Sequence, residues 1–140
     1  MEKDTQRIVE ELMLSDSFKS FYNENKDYFV SGNLANLLAE LLEEKGLKKS
    51  AVIRKSELNE IYAYQIFSGV RVPERNKLLA LAVGMGLNID EVQRLLKCAG
   101  YSLLYVKLPF DSVVLYGICN GKSVVEINEI LYEYGLDTLG

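Results

Sequence analysis

The sequence predicts an all-α fold: a five-helix unit at residues 33–99, with helical extensions at 1–32 and 100–140. Three observations support this prediction. Leucine and alanine recur at intervals of three and four residues in most of the chain. Polar residues suited to cap helices, and glycines suited to end them, stand at the borders of these segments. The chain contains only two prolines, so little in it interrupts helices.

The first core helix is predicted near residues 34–45. The positions that follow the i, i+3, i+4, i+7, i+8 pattern of one buried face are Leu34, Leu37, Leu38, Leu41 and Leu42. Asn33 is the predicted N-cap, and Gly46 is the predicted C-terminal glycine.

The second and third helices are predicted to be short and separated by a turn. The second covers residues 50–56, with Val52 and Ile53 directed inward. Asn59 is the predicted N-cap of the third, at residues 60–67.

The fourth and fifth helices follow Pro73. Residues 75–85 repeat leucine and alanine at helical spacing and end at a glycine. Asn88 and Glu91 have the spacing of a capping box, which predicts the fifth helix up to Ala99.

The N-terminal extension contains two weaker helical segments, at about 5–13 and 16–24. Phe18, Phe21 and Tyr22 share one face of the second segment. The charged N-terminus is not that of a signal peptide.

The C-terminal extension is predicted to begin with an extended connector at residues 101–110, in which Pro109 blocks a helix. A helical hairpin should follow. Its first helix covers about 112–120. Ser123 and Glu126 form a capping box for the second, whose apolar stripe is Val124, Ile127, Leu131 and Tyr134.

Composition is typical of a soluble globular chain, with 140 residues, 49% hydrophobic and 26% charged. No apolar run is long enough for a membrane helix. Cys98 and Cys119 stand apart from each other, and both are expected to be small core residues in a reduced, cytoplasmic protein. The absence of histidine removes the commonest general base and metal ligand. We therefore expect neither an enzyme nor a metal or cofactor site.

The charge is unevenly distributed. The formal net charge is −4, yet residues 45–77, the basic segment, carry eight basic and three acidic residues. A basic segment in an acidic chain is typical of a phosphate-contacting surface. The alternative is an ordinary solvated helical face, and charge alone does not separate the two.

The unit at 33–99 resembles the lambda-repressor-like, XRE-type helix-turn-helix domains of bacterial and phage regulators. The matching positions are Val52 and Ile53, Leu58 in the turn, Asn59 as the cap, Ala63 and Ile66 inside the third helix, and Gly69 and Pro73 at its exit. The stretch Leu78–Val92 is similar to the fourth and fifth helices of the family. The YAYQIFSGVRVP stretch and both extensions are similar to those of small uncharacterised bacterial helix-turn-helix proteins.

Three residues depart from the family pattern. Glu57 stands where the family usually has a glycine, so the turn is expected to be longer or differently wound. Ile53 replaces a small alanine, which should move the second and third helices apart. Phe67 replaces a frequent glutamate. These departures bear on the docking geometry and on whether DNA binding is retained.

The resemblance implies sequence-specific binding of double-stranded DNA and a role in transcriptional regulation. On the third helix the candidate base-contacting residues are Glu60, Ile61, Tyr64, Gln65 and Ser68. The candidate phosphate-contacting residues are Lys49, Arg54, Lys55, Arg71 and Lys77. Glu60 and Ile61 are unusual beside phosphates. The alternative is therefore a protein-interaction module on the same scaffold without DNA binding.

A homodimer is possible, because one helix-turn-helix contacts few base pairs. We expect the N-terminal extension to dock onto the core and the C-terminal hairpin to contribute to a dimer contact. The same hairpin also fits the pattern of a second helix-turn-helix, but we expect it to be a plain hairpin that packs against the rest of the protein. The sequence does not identify an operator, regulated genes or a small-molecule ligand.

Overall fold

The computed structural model describes residues 3–140, and over that range it is all-helical, as predicted. The α-helices are α1 (Thr5–Leu14), α2 (Phe18–Asn25), α3 (Val30–Lys45), α4 (Lys49–Ser56), α5 (Glu60–Ser68), α6 (Arg75–Gly84), α7 (Ile89–Cys98), α8 (Pro109–Cys119) and α9 (Val124–Glu133). A 3-10 turn, Lys26–Tyr28, links α2 to α3. None of these helices combines the length and apolarity needed to cross a membrane. Residues 1 and 2 of the predicted N-terminal extension lie outside the described range.

Three predicted N-caps are confirmed. The side chains of Asn59, Asn88 and Ser123 each accept a backbone N–H from the first turn of α5, α7 and α9, respectively. The last two are full capping boxes, because Glu91 and Glu126 accept the N–H of their cap residue in return. Because these bonds are local, the starts of these helices can be predicted from the sequence.

The predicted cap at Asn33 is wrong. Helix α3 begins at Val30, four residues before its predicted start, and its N-cap residue is the extended Phe29. The 3-10 turn leads directly into α3, so Asn33 lies within the first turn and its amide donates to the Tyr28 carbonyl (3.4 Å). The end of α3 is as predicted. Gly46 is left-handed, and the Leu47 N–H donates to the Leu42 carbonyl (2.9 Å).

Helix α6 lies at the centre of a single hydrophobic core. Its residues 78–82 are completely buried. The same cluster includes, from α3 to α9, Leu34, Leu38, Leu41, Val52, Ile66, Leu95, Leu96, Val114, Ile127 and Leu131. Gly84 brings α6 against α4, because a Cβ there would lie 2.9 Å from the Val52 carbonyl oxygen and the Ser56 nitrogen. The packing of α4 on α6 therefore requires a glycine at this position.

The C-terminal hairpin, α8 and α9, packs into this core rather than standing apart from it. Pro109 starts α8 instead of blocking a helix, because the first turn does not need the N–H that proline lacks. Val124, Ile127 and Leu131 are buried as predicted, but Tyr134, which follows the last residue of α9, is 70% exposed. Most of the predicted stripe is thus covered within the monomer.

A buried ion pair joins the connector and α8 to the start of α6. The Arg75 guanidinium donates to both carboxylate oxygens of Asp111, at 3.0 and 3.1 Å, and Asp111 is 1% exposed. Arg75 also donates to the carbonyls of Ser102 and Leu103. The second carboxylate oxygen accepts the Tyr105 N–H (2.9 Å). Arg75, counted in the basic segment, is therefore committed to a contact inside the protein.

The N-terminal helices pack less closely than we expected. Helix α1 has no buried residue. In α2, Phe21 is buried, but its ring neighbours are Phe18 and Phe29, and it is not part of the core cluster. Lys3 links the two helices, because its ammonium group donates to Glu11 and to Asn25.

Candidate nucleic-acid interface

The turn between α4 and α5 is short, contrary to the expectation from Glu57. Glu57 adopts the left-handed conformation itself, with φ +62°, and is the single non-glycine residue of 3–140 with positive φ. Next to it, the Ser56 hydroxyl donates to the Ile53 carbonyl (2.6 Å) and accepts the Leu58 N–H (3.3 Å). Three residues therefore connect the helices, and glutamate takes the backbone conformation that glycine normally supplies.

The inner side of α5 is buried as predicted. Ala63 and Ile66 are fully buried, and Phe67 is 8% exposed. Ile53, on the facing helix α4, is also buried. These apolar contacts fix the rotation of α5 about its axis and so determine which residues point outward.

Four of the five candidate base-contacting residues lie on the outer side of α5, whereas Glu60, at the start of the helix, is turned toward the groove between α4 and α5. Glu60, Ile61, Tyr64 and Ser68 are exposed, and Gln65 is half-buried. At 100° per residue, Ile61, Gln65 and Ser68 point within about 60° of one another. We call these three residues the outer ridge. Tyr62 lies on one flank of the ridge and Tyr64 on the other.

On the Tyr62 flank, two candidate phosphate contacts are held against the aromatic ring. The Arg71 guanidinium carbon lies 5.1 Å from the Tyr62 ring centroid, and the Lys77 ammonium lies 5.6 Å from it. Arg71 Nε also donates to Gln65 Oε1 (2.9 Å). Ring and amide together orient the Arg71 guanidinium.

The opposite flank also carries cations. Arg54 borders a groove between α4 and α5 that includes Tyr64. The Lys49 ammonium lies 5.5 Å from the Phe67 ring centroid. The carboxylates of Glu57 and Glu60 border the same groove as Arg54 and reduce the positive potential there.

Lys55 lies on the side of α4 that faces away from α5. It borders a second groove, which Arg54, Lys48 and Lys122 also line. Arg54 lines the groove between α4 and α5 as well, whereas Lys55 does not. Four of the five predicted phosphate contacts therefore flank α5, and Lys55 does not. The signal in the sequence was its position one residue after Arg54, which turns it by about 100° around the helix.

The two cysteines differ in environment. Cys98 is half-buried, and burial raises the pKa of its thiol, as expected for an inert packing residue. Cys119 is exposed, so its predicted place in the core is wrong. Within residues 3–140 no group of three or more histidine, cysteine or acidic side chains is arranged to hold a metal ion.

Comparisons with protein-family models, with curated proteins and with solved structures find no match to this chain.

Proposed function

We propose that this protein binds double-stranded DNA in a sequence-dependent manner and acts as a transcriptional regulator, with α3–α7 serving as a lambda-repressor-like domain. In this proposal α5 enters the major groove and its outer ridge faces the base edges. One observation carries the proposal: the outer ridge is flanked on both sides by cationic side chains.

The two flanks match the geometry of the groove. The major groove is about 12 Å wide and is bordered by a phosphate backbone on each side. A helix in the groove therefore needs cations on both flanks. Arg71 and Lys77 occupy one flank, and Arg54 and Lys49 occupy the other. These residues would set the position of α5 without reading sequence.

Gln65 would read a base edge while Arg71 holds it in place. The amide oxygen of Gln65 is bonded to Arg71 Nε, which leaves the Gln65 NH₂ group as a donor for a base and the outer guanidinium nitrogens as donors for a phosphate. An NH₂ donor suits an acceptor such as N7 or O6 of guanine. Ile61, which is 71% exposed, suits a thymine methyl group.

The test is the salt dependence of DNA binding, measured by fluorescence anisotropy on genomic fragments. Replacing Lys49 and Arg71 with glutamate should weaken binding and reduce the slope of log K against log salt by about 0.9 for each lost phosphate contact. Lys97→Glu combined with Lys107→Glu is the matched control, because it reverses the same number of charges at exposed residues outside α4 and α5. Equal slopes for the double variant and the control would remove this surface from the interface.

A protein-interaction module without DNA binding is the second candidate. The exposure of Ile61 favours it, as do the carboxylates of Glu57 and Glu60 beside α5. It becomes the better explanation if the unmodified chain shows no salt-dependent binding to any fragment.

A further inference from the structure

Helices α1 and α2 both expose apolar side chains. Of the α-helices in residues 3–140, α1 alone has no buried residue. The residues that form the surface, here called the N-terminal face, are Val9, Leu12, Met13, Phe18 and Tyr22. Each is between 41% and 78% exposed.

These residues lie on one side of the helical pair. Val9, Leu12 and Met13 fall within about 100° on α1, and Phe18 and Tyr22 are one turn apart on α2. A three-residue connection, 15–17, makes the two helices antiparallel neighbours. The groove on the opposite side is bordered by charged and polar residues, among them Arg7, Glu10 and Glu24, and also by Leu14 and Phe21. Charged side chains are therefore concentrated on that side and absent from the N-terminal face.

The aromatic half of the N-terminal face continues to Phe29, the residue directly before α3. The Phe18 ring lies 6.1 Å from the Tyr22 ring, and Tyr22 lies 5.2 Å from Phe29. Phe18 also contacts the buried Phe21 at 6.0 Å between centroids. The face is thus supported by packed rings.

We propose that a second copy of this chain docks on the N-terminal face, which makes the protein a symmetric homodimer. Five side chains with these exposures present apolar area on the order of 500 Å², at the upper end of what monomers expose. Pairing two such faces buries on the order of 1,000 Å², which reaches the lower limit for a specific interface. A twofold axis brings each face against its own copy. The five side chains are uncharged, which is compatible with that pairing, and the Lys26 ammonium, 5.9 Å from the Tyr22 ring centroid, would lie at the rim of the interface.

The N-terminal face also adjoins the proposed DNA-binding helix. Tyr22 and Lys26 border the same groove as Ser68, Gly69 and Val70 at the C-terminal end of α5. Dimerisation here would direct the C-terminal ends of the two α5 helices toward the dimer axis. This orientation rests on the proposed function, whereas the dimer itself does not.

Analytical ultracentrifugation of the full chain without DNA tests the dimer. The unmodified chain should be a reversible dimer, and Met13→Asp combined with Phe18→Asp should weaken the dimer about tenfold or more. Tyr132→Asp is the matched control, because it places an aspartate at an 81% exposed aromatic residue of α9, and it should leave the dimer unchanged. Circular dichroism checks folding, and the single change Met13→Glu, at a 78% exposed residue, should weaken the dimer as well.

Two outcomes would overturn this proposal. One is an unmodified chain that stays monomeric at every concentration, which would assign the N-terminal face to a different partner. The other is a dimer that the double variant leaves intact. The Lys49→Glu and Arg71→Glu variant separates the two proposals, because it should remain dimeric even where DNA binding is lost. A dimer without DNA binding would leave this inference standing and reject the proposed function.

Discussion

Replacing Asp111 with alanine should destabilise the whole protein, although Asp111 lies outside the proposed DNA-binding surface. Its carboxylate accepts two hydrogen bonds from Arg75 and one from the Tyr105 N–H. The variant would remove all three bonds and leave the guanidinium in a largely buried site without its counter-charge. The connector between α7 and α8 would lose its attachment to the start of α6.

The magnitude follows from burial. Removing one partner of a buried ion pair costs about 3–5 kcal/mol. Arg75 keeps its bonds to two carbonyls, and 20% of its side chain is exposed, so water relieves part of the cost. We therefore expect the free energy of unfolding to fall by about 3 kcal/mol, at the lower end of that range. For a chain of this size, the melting temperature should fall by about 10 °C.

Urea denaturation followed by circular dichroism measures this loss. Asp137→Ala is the control, because it removes an exposed aspartate of the same extension, and it should change stability by less than about 0.5 kcal/mol. Replacing Arg75 with methionine and Asp111 with leucine together should cost less than the sum of the single changes, because no unpaired charge remains. If Asp111→Ala cost no more than Asp137→Ala, the ion pair would not stabilise the fold.

Two further predictions concern the ends of helices. Glu57→Gly should raise the free energy of unfolding, measured by urea denaturation, by about 0.5–1 kcal/mol, because the relief of left-handed backbone strain exceeds the cost of the added entropy of the unfolded chain. Glu57→Ala is the control, because it keeps the strain and should give no such gain. Hydrogen bonds from the Ser123 backbone and hydroxyl hold the pKa of Glu126 below its usual 4.5. The stabilisation by Glu126 is therefore present above pH 4.5 and is lost as the pH falls through the lowered pKa. Glu126→Gln should make stability fall less steeply with acid than Glu129→Gln does, and equal acid dependence would contradict the assignment.

Helices were predictable where their signals are local. The caps Asn59, Asn88 and Ser123 bond to residues three positions away, so sequence spacing identifies them. The start of α3 was misplaced because Phe29 has no side-chain cap bond to reveal it. Pro109 was misread because a proline that ends one segment and a proline that begins a helix look alike without knowledge of the following turn.

Contacts between distant segments were not predictable in the same way. Arg75 and Asp111 are 36 positions apart, and no spacing rule connects them. The same limit applies to the candidate interface. Its residues could be chosen from the helical period of α5, but the bond between Gln65 and Arg71 depends on how the chain leaves α5 after Gly69.

The last described residues lie against the turn between α4 and α5. Leu139 is buried, and its backbone is bonded at both N–H and carbonyl to the Asn128 amide. A Cβ on Gly140 would lie 3.5 Å from the end of the Leu58 side chain. Any tag or fusion partner joined at Gly140 would therefore emerge beside that turn. An affinity label joined at Gly140 is consequently a poor choice for binding measurements. Protein immobilised on a surface through such a label would have α5 partly blocked by that surface.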